Sequence, residues 1–174
     1  MNEAVSELNN VCNTFRLPAY QEIPNVGLFL EQVSKYINEI LSPLEEPGLT
    51  GSMISNYVKK KIIDNPVKKQ YGRDQIAYLI YIALAKNVLS LEDISAMINL
   101  QRSECETEKA YEYFRDEFPK ILRTVFDEED VQKGAQDTIL KKLSVNISVT
   151  IAHKIYLDMI FKSMKENNGK EQFT

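Results

Sequence analysis

The chain has 174 residues, of which 44% are hydrophobic and 26% charged, with a formal net charge of −4. This composition supports one buried core, in a single domain or in a domain with a helical extension. No apolar run approaches the roughly 18 residues of a membrane span, and no basic segment followed by an apolar core opens the chain. We therefore expect neither a membrane span nor a secretory signal. The expected location is the cytoplasm.

The first 48 residues predict one strong helix and a loop after a weaker segment. Residues 1–17 carry a weak amphipathic pattern that Leu17-Pro18 ends, and they would form either a frayed helix or a segment packed on the core. Asn25 is the expected N-cap of a stronger helix. The apolar stripe of that helix is Val26, Phe29, Leu30, Val33, Ile37, Ile40 and Leu41. The segment SPLEEPG at 42–48 is a predicted loop because it holds two prolines and a glycine.

The stretch from Leu49 to Ile98 predicts three helices around a short basic hairpin. A turn signal at Asp64-Asn65-Pro66 separates Ile63 from Val67. Ser90 followed by Asp93 is a capping-box-like start for the third helix. Apolar residues at helical spacing mark the first two helices: Ile54, Val58 and Ile62 in one, and Ile76, Ile80 and Leu84 in the other.

This order of elements resembles the DNA-binding domain of the MerR family, and more closely an uncharacterised bacterial family with a MerR-like winged helix. The matching segments are Asn56-Tyr57-Val58, the Lys-Ile-Ile exit at 61–63, Tyr71-Gly72-Arg73 and the run from Asn87 to Ile94. The resemblance implies an all-α fold with a small β wing. A winged helix-turn-helix domain at 20–100 would precede a C-terminal helical region at 103–165. It implies double-stranded DNA as the partner, and it supplies no reaction because the family has no assigned chemistry.

Three features depart from the MerR pattern. The 42–48 loop is longer than the roughly 3–4 residues of a standard helix-turn-helix connection. Ser55 stands where the family has an arginine, two positions before Tyr57. The wing, from Asp64 to Gln70, is also short. Phosphate contacts would therefore come from lysines in and after the second helix.

An excess of positive over negative charge occurs in only one stretch of the sequence. Residues 50–73 hold six basic residues and one acidic residue, whereas acidic residues outnumber basic ones both before and after this stretch. Acidic surfaces repel DNA, so this distribution leaves one face to dock against it. Solvation of a helix end, favoured by the macrodipole, is the alternative explanation for Lys59 to Lys61.

The predicted DNA contacts lie in a recognition helix at about 50–61 and a basic wing at 63–72. Short polar groups would read bases, since Asn pairs bidentately with adenine in the major groove. Tyr57 is expected to be half-buried, with core packing as its main role and a hydroxyl that reaches solvent or a phosphate. The predicted contact residues are Ser52, Ser55, Asn56, Tyr57, Lys59, Lys60, Lys68, Lys69 and Arg73.

Two further helical patterns complete the chain. Ser103-Glu104-Cys105-Glu106 is a capping box that would open the first, and Pro119 is expected to kink or break it. The second runs from Ala135 to Met164. Its residues 145–151 alternate like a strand, but its length and the absence of Gly and Pro favour a helix.

No catalytic, metal or cofactor motif is present in the sequence. His153 is the only histidine and lies in an apolar helix pattern, which favours a structural role. No zinc-ligand spacing and no Gly-rich phosphate loop occur. Cys12 and Cys105 are expected to be free thiols, with a disulfide as the alternative. We therefore expect a protein that is not an enzyme.

Three hypotheses follow for the function. The first is a DNA-binding transcriptional regulator that forms a homodimer through residues 103–164. The second is a protein-interaction module whose basic patch binds an acidic protein partner. The third is a helical domain that binds a small molecule, which under the first hypothesis would be an effector. Its predicted lining, which otherwise belongs to the core, is Tyr111, Tyr113, Phe114, Phe118 and Phe126.

Overall fold

The computed structural model describes residues 11, 14–126 and 138–171, with side chains described as far as residue 162. Within these residues the protein is mostly helical and holds one two-stranded antiparallel sheet. The strands are β1 (Leu28–Phe29) and β2 (Gln70–Tyr71). The helices are α1 (Leu30–Leu41), α2 (Gly51–Lys59), α3 (Arg73–Ala85), α4 (Leu91–Glu104), α5 (Thr107–Phe126) and α6 (Ile139–Glu171). None of the described helices is both long and apolar enough to cross a membrane.

Helix α1 begins five residues later than its predicted N-cap, Asn25. Gly27 has a φ of +75° and turns the chain into β1. The Gln32 side chain caps the start of α1, since its Oε1 accepts a hydrogen bond from the Phe29 N–H at 2.9 Å. The prediction at Asn25 was wrong because β1 pairs with residues far along the chain, which a local pattern does not reveal.

Side-chain caps define the starts of α2 and α4. The Thr50 Oγ1 accepts a hydrogen bond from the Met53 N–H at 3.2 Å. The predicted cap of α4 is present, since Ser90 Oγ accepts from the Asp93 N–H at 3.1 Å. The predicted capping box at Ser103 was wrong. Ser103 still belongs to α4, and its hydroxyl donates to the Leu100 carbonyl at 2.8 Å.

The basic hairpin reverses at its lysines and not at Asp64-Asn65-Pro66 as predicted. Val67 and Gln70 exchange two backbone hydrogen bonds, of 3.0 and 2.9 Å. Lys68 and Lys69 between them have φ angles of +50° and +65°, which are typical of a type I′ turn. After this turn β2 pairs antiparallel with β1, and Leu28 lies opposite Tyr71.

One buried cluster holds the described elements together. It runs from Phe15 to Ile155 and includes residues of all six described helices. Helix α3 is its centre, because nine of its thirteen residues are buried. The predicted boundary between 20–100 and 103–165 falls within the last turn of α4, before the break between α4 and α5, and this cluster extends across it. Cys105 is a free thiol, whereas Cys12 lies outside the described residues.

Each of the two C-terminal helices is continuous between its stated bounds. Of the predicted kink or break at Pro119, the break does not occur, because α5 continues through this buried residue. Phe114 stacks on Phe118 at 5.3 Å between ring centroids. The described part of the predicted 135–164 helix starts at Ile139. Residues 145–151, which alternate like a strand, are helical.

Candidate nucleic-acid interface

Helix α2 presents one polar face to solvent. Ser52, Ser55, Asn56 and Lys59 are exposed, and their spacing of three, one and three residues places them on a single helical stripe. On the opposite side Ile54 is 0% exposed. The predicted base-reading and phosphate-contacting residues of this helix are therefore side by side and accessible.

Tyr57 belongs to the buried side of α2. It is 3% exposed and lies in the core cluster, so it is more deeply buried than the half-buried ring that the sequence predicts. Burial raises the pKa of its hydroxyl above the ordinary tyrosine value. Its place in the core makes Tyr57 a support for α2.

The lysines continue from the end of α2 into the hairpin. Lys60 caps α2, and Lys61 has a φ of +57°, which turns the chain away from the helix axis. The Ile62 N–H then donates to the Tyr57 carbonyl at 2.9 Å and closes this helix end. The exposed lysines of the segment are Lys59, Lys60, Lys61, Lys68 and Lys69.

The beginning of α1 ties the start of α2 to the hairpin. A Cβ atom at Gly51 would lie 3.2 Å from Leu30 Cδ2 and 3.3 Å from Glu31 Oε1. A Cβ atom at Gly27, just before β1, would lie 3.0 Å from Gln70 Cβ. Because β1 leads directly into α1, the start of the recognition-helix candidate and the base of the hairpin pack on neighbouring parts of one short segment.

The single acidic residue of the basic stretch has a cationic partner. Arg102 on α4 donates from Nη2 to Asp64 Oδ2 at 3.2 Å. The Gln75 Nε2 donates to the Asp64 backbone carbonyl at 2.8 Å and fixes the loop that leads to the hairpin. This ion pair offsets the negative charge of Asp64 beside the lysines.

The guanidinium of Arg73 is used within the fold. Its Nε donates to the Ile23 carbonyl at 2.8 Å, its Nη1 to Gln21 Oε1 at 2.8 Å, and its Nη2 to the Gln21 carbonyl at 3.2 Å. Its Cζ also lies 5.4 Å from the centroid of the Tyr20 ring. Unlike the exposed lysines, the guanidinium of Arg73 is therefore engaged in contacts within the fold, and it fastens the segment before β1 to α3.

Three large apolar side chains are exposed around the hairpin. Val26 is 83% exposed, Phe29 52% and Val67 74%. Such side chains beside a charged tip differ from a purely phosphate-binding surface, which is polar. They extend the candidate interface to apolar contacts.

A second candidate site is a cavity of about 370 Å³ between α3, α4, α5 and the start of α6. Three of the five aromatic residues predicted for a small-molecule site line it, namely Tyr111, Tyr113 and Phe114. Phe118 and Phe126 do not line this cavity and are buried in the core. Of the five predicted aromatic residues, three therefore line the cavity and two belong only to the core.

Two tyrosines of α3 line the cavity with different hydrogen bonding. Tyr78 Oη donates to Gln101 Oε1 at 2.8 Å and lies 3.0 Å from Thr107 Oγ1. The Tyr81 hydroxyl is shielded from solvent and has no hydrogen-bonding partner among the described residues. Burial raises the pKa of Tyr81.

The remaining ionisable residues form no centre of metal chemistry within the described part of the chain. No group of three or more His, Cys, Asp and Glu side chains is placed there to hold a metal ion. His153 is exposed on α6, and its Nδ1 lies 2.8 Å from the Val149 carbonyl oxygen. This contact is local to α6, because the two residues are four positions apart.

A family model described as "Domain of unknown function (DUF1836)" matches residues 18–114. The chain belongs to this family. Comparisons with curated proteins and with solved structures gave no match. The matched DUF1836 region starts just before the segment held by Arg73 and ends at Phe114, within α5. It therefore contains the basic hairpin, α2 and most of the cavity wall.

Sequence patterns missed the contacts that position these sites in the DUF1836 chain. The bonds from Arg73 to Gln21 and from Arg102 to Asp64 join residues 52 and 38 positions apart. No local periodicity signals such pairs. The arginines themselves were the only signal, since each stands beside a helix end with several donors to satisfy.

Proposed function

We propose that this protein binds double-stranded DNA as a transcriptional regulator, with α2 in the major groove and the basic hairpin on the flanking backbone. The observation that carries the proposal is the exposure of the polar α2 residues and of the lysines that follow them, in an otherwise acidic protein. The resemblance to MerR-like winged helices supports it, because α2, the hairpin and α3 follow in the order of that fold. A regulator of this kind would act in the cytoplasm.

The proposal divides the exposed residues by role. Lysines position a protein on phosphates, whereas polar side chains on a helix read base edges. Asn56 lies mid-stripe on α2 and would pair with an adenine, with Ser52 and Ser55 beside it. The phosphate contacts would be Lys59, Lys60, Lys68 and Lys69.

Two predicted contact residues take a supporting role in this proposal. Tyr57 is buried beneath α2, and the guanidinium of Arg73 is hydrogen-bonded to the segment before β1. We leave both out of the direct contacts. Glu31, close to the start of α2, would be a repulsive neighbour of a phosphate.

Salt-dependent DNA binding tests the proposal. Fluorescence anisotropy on a site selected from genomic DNA and on random duplex should show affinity that falls linearly with salt on logarithmic axes. Lys68→Ala and Lys69→Ala should each weaken binding to both duplexes and reduce the slope by about one unit, because each phosphate contact releases about 0.9 counterion. Asn56→Ala should keep the slope and cost about 1–3 kcal/mol on the selected site only.

Lys142→Ala is the matched control, since Lys142 is an exposed lysine on α6, outside the basic stretch. It should change neither affinity nor slope beyond the small effect of net charge. No binding to either duplex at low salt would refute the DNA proposal. Equal losses for Lys142→Ala and Lys68→Ala would refute the hairpin contact while leaving DNA as the partner.

An acidic protein partner is the second candidate, and the exposed apolar residues around the hairpin favour it. Protein interfaces combine an apolar centre with a polar rim. Val67 and Phe29 beside Lys68 and Lys69 offer that combination on a small scale. Failure of DNA binding, together with binding of an acidic protein that Val67→Ser weakens, would select this candidate.

A further inference from the structure

Helix α6 carries a stripe of exposed side chains along one face. Its large apolar members form two pairs four residues apart, Ile139 with Leu143 and Leu157 with Phe161, and they are between 40% and 57% exposed. Three exposed polar residues lie between the two pairs, namely Asn146, Thr150 and His153. At 3.6 residues per turn, all seven positions fall within a sector of about 80° of the helix surface. We call these seven residues the α6 stripe.

The polar residues in the middle of the α6 stripe are hydrogen-bonded within their own helix. Asn146 Nδ2 and Thr150 Oγ1 each donate to the carbonyl four residues earlier, at 2.7 and 2.8 Å. The Nδ1 of His153 lies 2.8 Å from the carbonyl oxygen of Val149, also four residues earlier. A partner that covers the stripe does not have to supply these bonds, which lowers the cost of removing the polar groups from water.

The two apolar pairs are placed symmetrically about Thr150. Leu143 and Leu157 each lie seven positions from it, and Ile139 and Phe161 each lie eleven positions from it. In an antiparallel pair of α6 helices with a two-fold axis beside Thr150, residues at equal distances from the axis therefore face each other. A parallel pair brings each residue opposite its own copy and sets no condition on the spacing. The symmetric spacing consequently favours an antiparallel second copy as the occupant of the stripe.

We propose that two copies of this chain dimerise through the α6 stripe, with the two α6 helices antiparallel and the two-fold axis beside Thr150. The contact would run from Ile139 to Phe161, about 33 Å at 1.5 Å per residue. If each of the seven side chains of both copies buries about 80 Å², the dimer covers about 1,100 Å², above the roughly 1,000 Å² of a specific interface. Antiparallel helices also place opposite ends of their macrodipoles side by side.

Paired charges test this register. Leu143→Lys and Leu157→Glu should each raise the dimer dissociation constant at least tenfold, because each sets a charge against a leucine of the other copy. The chain with both changes should dimerise more tightly than either single variant, since each new lysine then faces a new glutamate. The two positions lie about 21 Å apart on their own helix and cannot pair within one chain. Sedimentation equilibrium measures the three constants.

A parallel dimer predicts the opposite order, because like charges would meet and the double variant would dimerise most weakly. That order overturns the antiparallel register. Ala96→Glu with Asn99→Lys is the matched control, since both residues are exposed on α4, and it should leave the dissociation constant unchanged. Denaturant unfolding establishes that each variant folds. Wild-type protein that sediments as a monomer, or equal losses in the single variants and the control, overturns the interface.

Disulfide cross-linking tests the register directly, in a chain freed of its own thiols by Cys12→Ser and Cys105→Ser. Leu143→Cys mixed with a tagged Leu157→Cys chain should give, on mild oxidation, a species that contains one chain of each. Either variant alone should cross-link far less, because its two new thiols would lie about 21 Å apart, beyond the reach of a disulfide. Cross-linking of each variant with itself in place of the mixed species overturns the antiparallel register. Absence of any cross-link overturns the interface. None of these outcomes depends on DNA binding, so the dimer and the proposed function stand or fall separately.

Discussion

Lys68 and Lys69 occupy the two turn positions that favour Asn-Gly, because both have positive φ. A non-glycine residue in this region costs on the order of 1 kcal/mol. We expect Lys68→Asn combined with Lys69→Gly to raise the free energy of unfolding by about 1–2 kcal/mol. Denaturant unfolding measures this gain, and anisotropy should show a simultaneous loss of DNA affinity.

The double alanine variant at positions 68 and 69 separates charge from backbone strain. Alanine removes both charges but keeps side chains that avoid positive φ. It should weaken DNA binding as much as the Asn-Gly variant and give no gain in stability. A stability gain in the alanine variant would contradict the turn argument and assign the effect to charge repulsion among the lysines.

Tyr78 and Tyr81 offer a matched pair on α3, because only one hydroxyl has a partner. Tyr81→Phe should raise the free energy of unfolding by about 1–3 kcal/mol, since it removes a buried unsatisfied group. Tyr78→Phe should lower it by about 1 kcal/mol, since it breaks the bond to Gln101. Denaturant unfolding of both variants measures the difference. Equal effects of the two changes would contradict the assigned hydrogen bonding.

Among the elements, α2 depends on its side-chain cap. Thr50 satisfies the Met53 N–H, and α2 has only nine residues over which to stabilise itself. Thr50→Ala should lower the free energy of unfolding by about 1 kcal/mol, whereas Thr50→Ser should stay close to wild type because it keeps the oxygen. Urea unfolding distinguishes the two. A loss in Thr50→Ser equal to that in Thr50→Ala would place the effect in the lost methyl group.

Helices were predictable from sequence where their apolar stripe is long, and the strands were not. The spacing of Ile76, Ile80 and Leu84 recurs over α3, and Ser90 marks the start of α4 by its own chemistry. By contrast, β1 and β2 have two residues each and exist only through pairing between distant segments. The false cap at Ser103 shows the same limit, since a capping motif does not say whether the preceding helix has ended.

The candidate sites divide in the same way. Exposure of Ser52, Ser55 and Asn56 follows from the helical period, which places them opposite Ile54. Neither the hydrogen bonds of the Arg73 guanidinium nor the cavity follows from any local pattern. A cavity is the space that four helices leave between them, and its lining includes residues up to 67 positions apart, such as Ala77 and Ser144.

On the scale of the whole molecule, α6 leaves apolar side chains uncovered. Leu157 is 48% exposed and Phe161 54%, and they lie four residues apart on one face. We predict a homodimer through residues 103–164 that includes this face. Light scattering should give twice the mass of one chain, and Leu157→Glu with Phe161→Glu should give a monomer of unchanged stability.

Ala96→Glu with Asn99→Glu provides the control, since both residues are exposed on α4. This variant should remain a dimer. A truncation near residue 100 is a poorer test, because it would remove α5 and α6 from the buried cluster that they share with α3. A monomeric wild-type protein at micromolar concentration would contradict the prediction.

Both central residues of the hairpin turn have positive φ angles, which D-amino acids prefer. A D-residue prefers the positive φ that Lys68 and Lys69 adopt, so D-lysine at both positions would keep the charges and relieve the backbone. Such a protein, assembled by chemical ligation, should bind its partner as the natural chain does. It should also resist trypsin at this exposed Lys-Lys sequence, because the protease requires an L-residue at the cleaved bond. Substitution with D-lysine therefore changes the backbone preference of the turn while it leaves the charge of the hairpin unchanged.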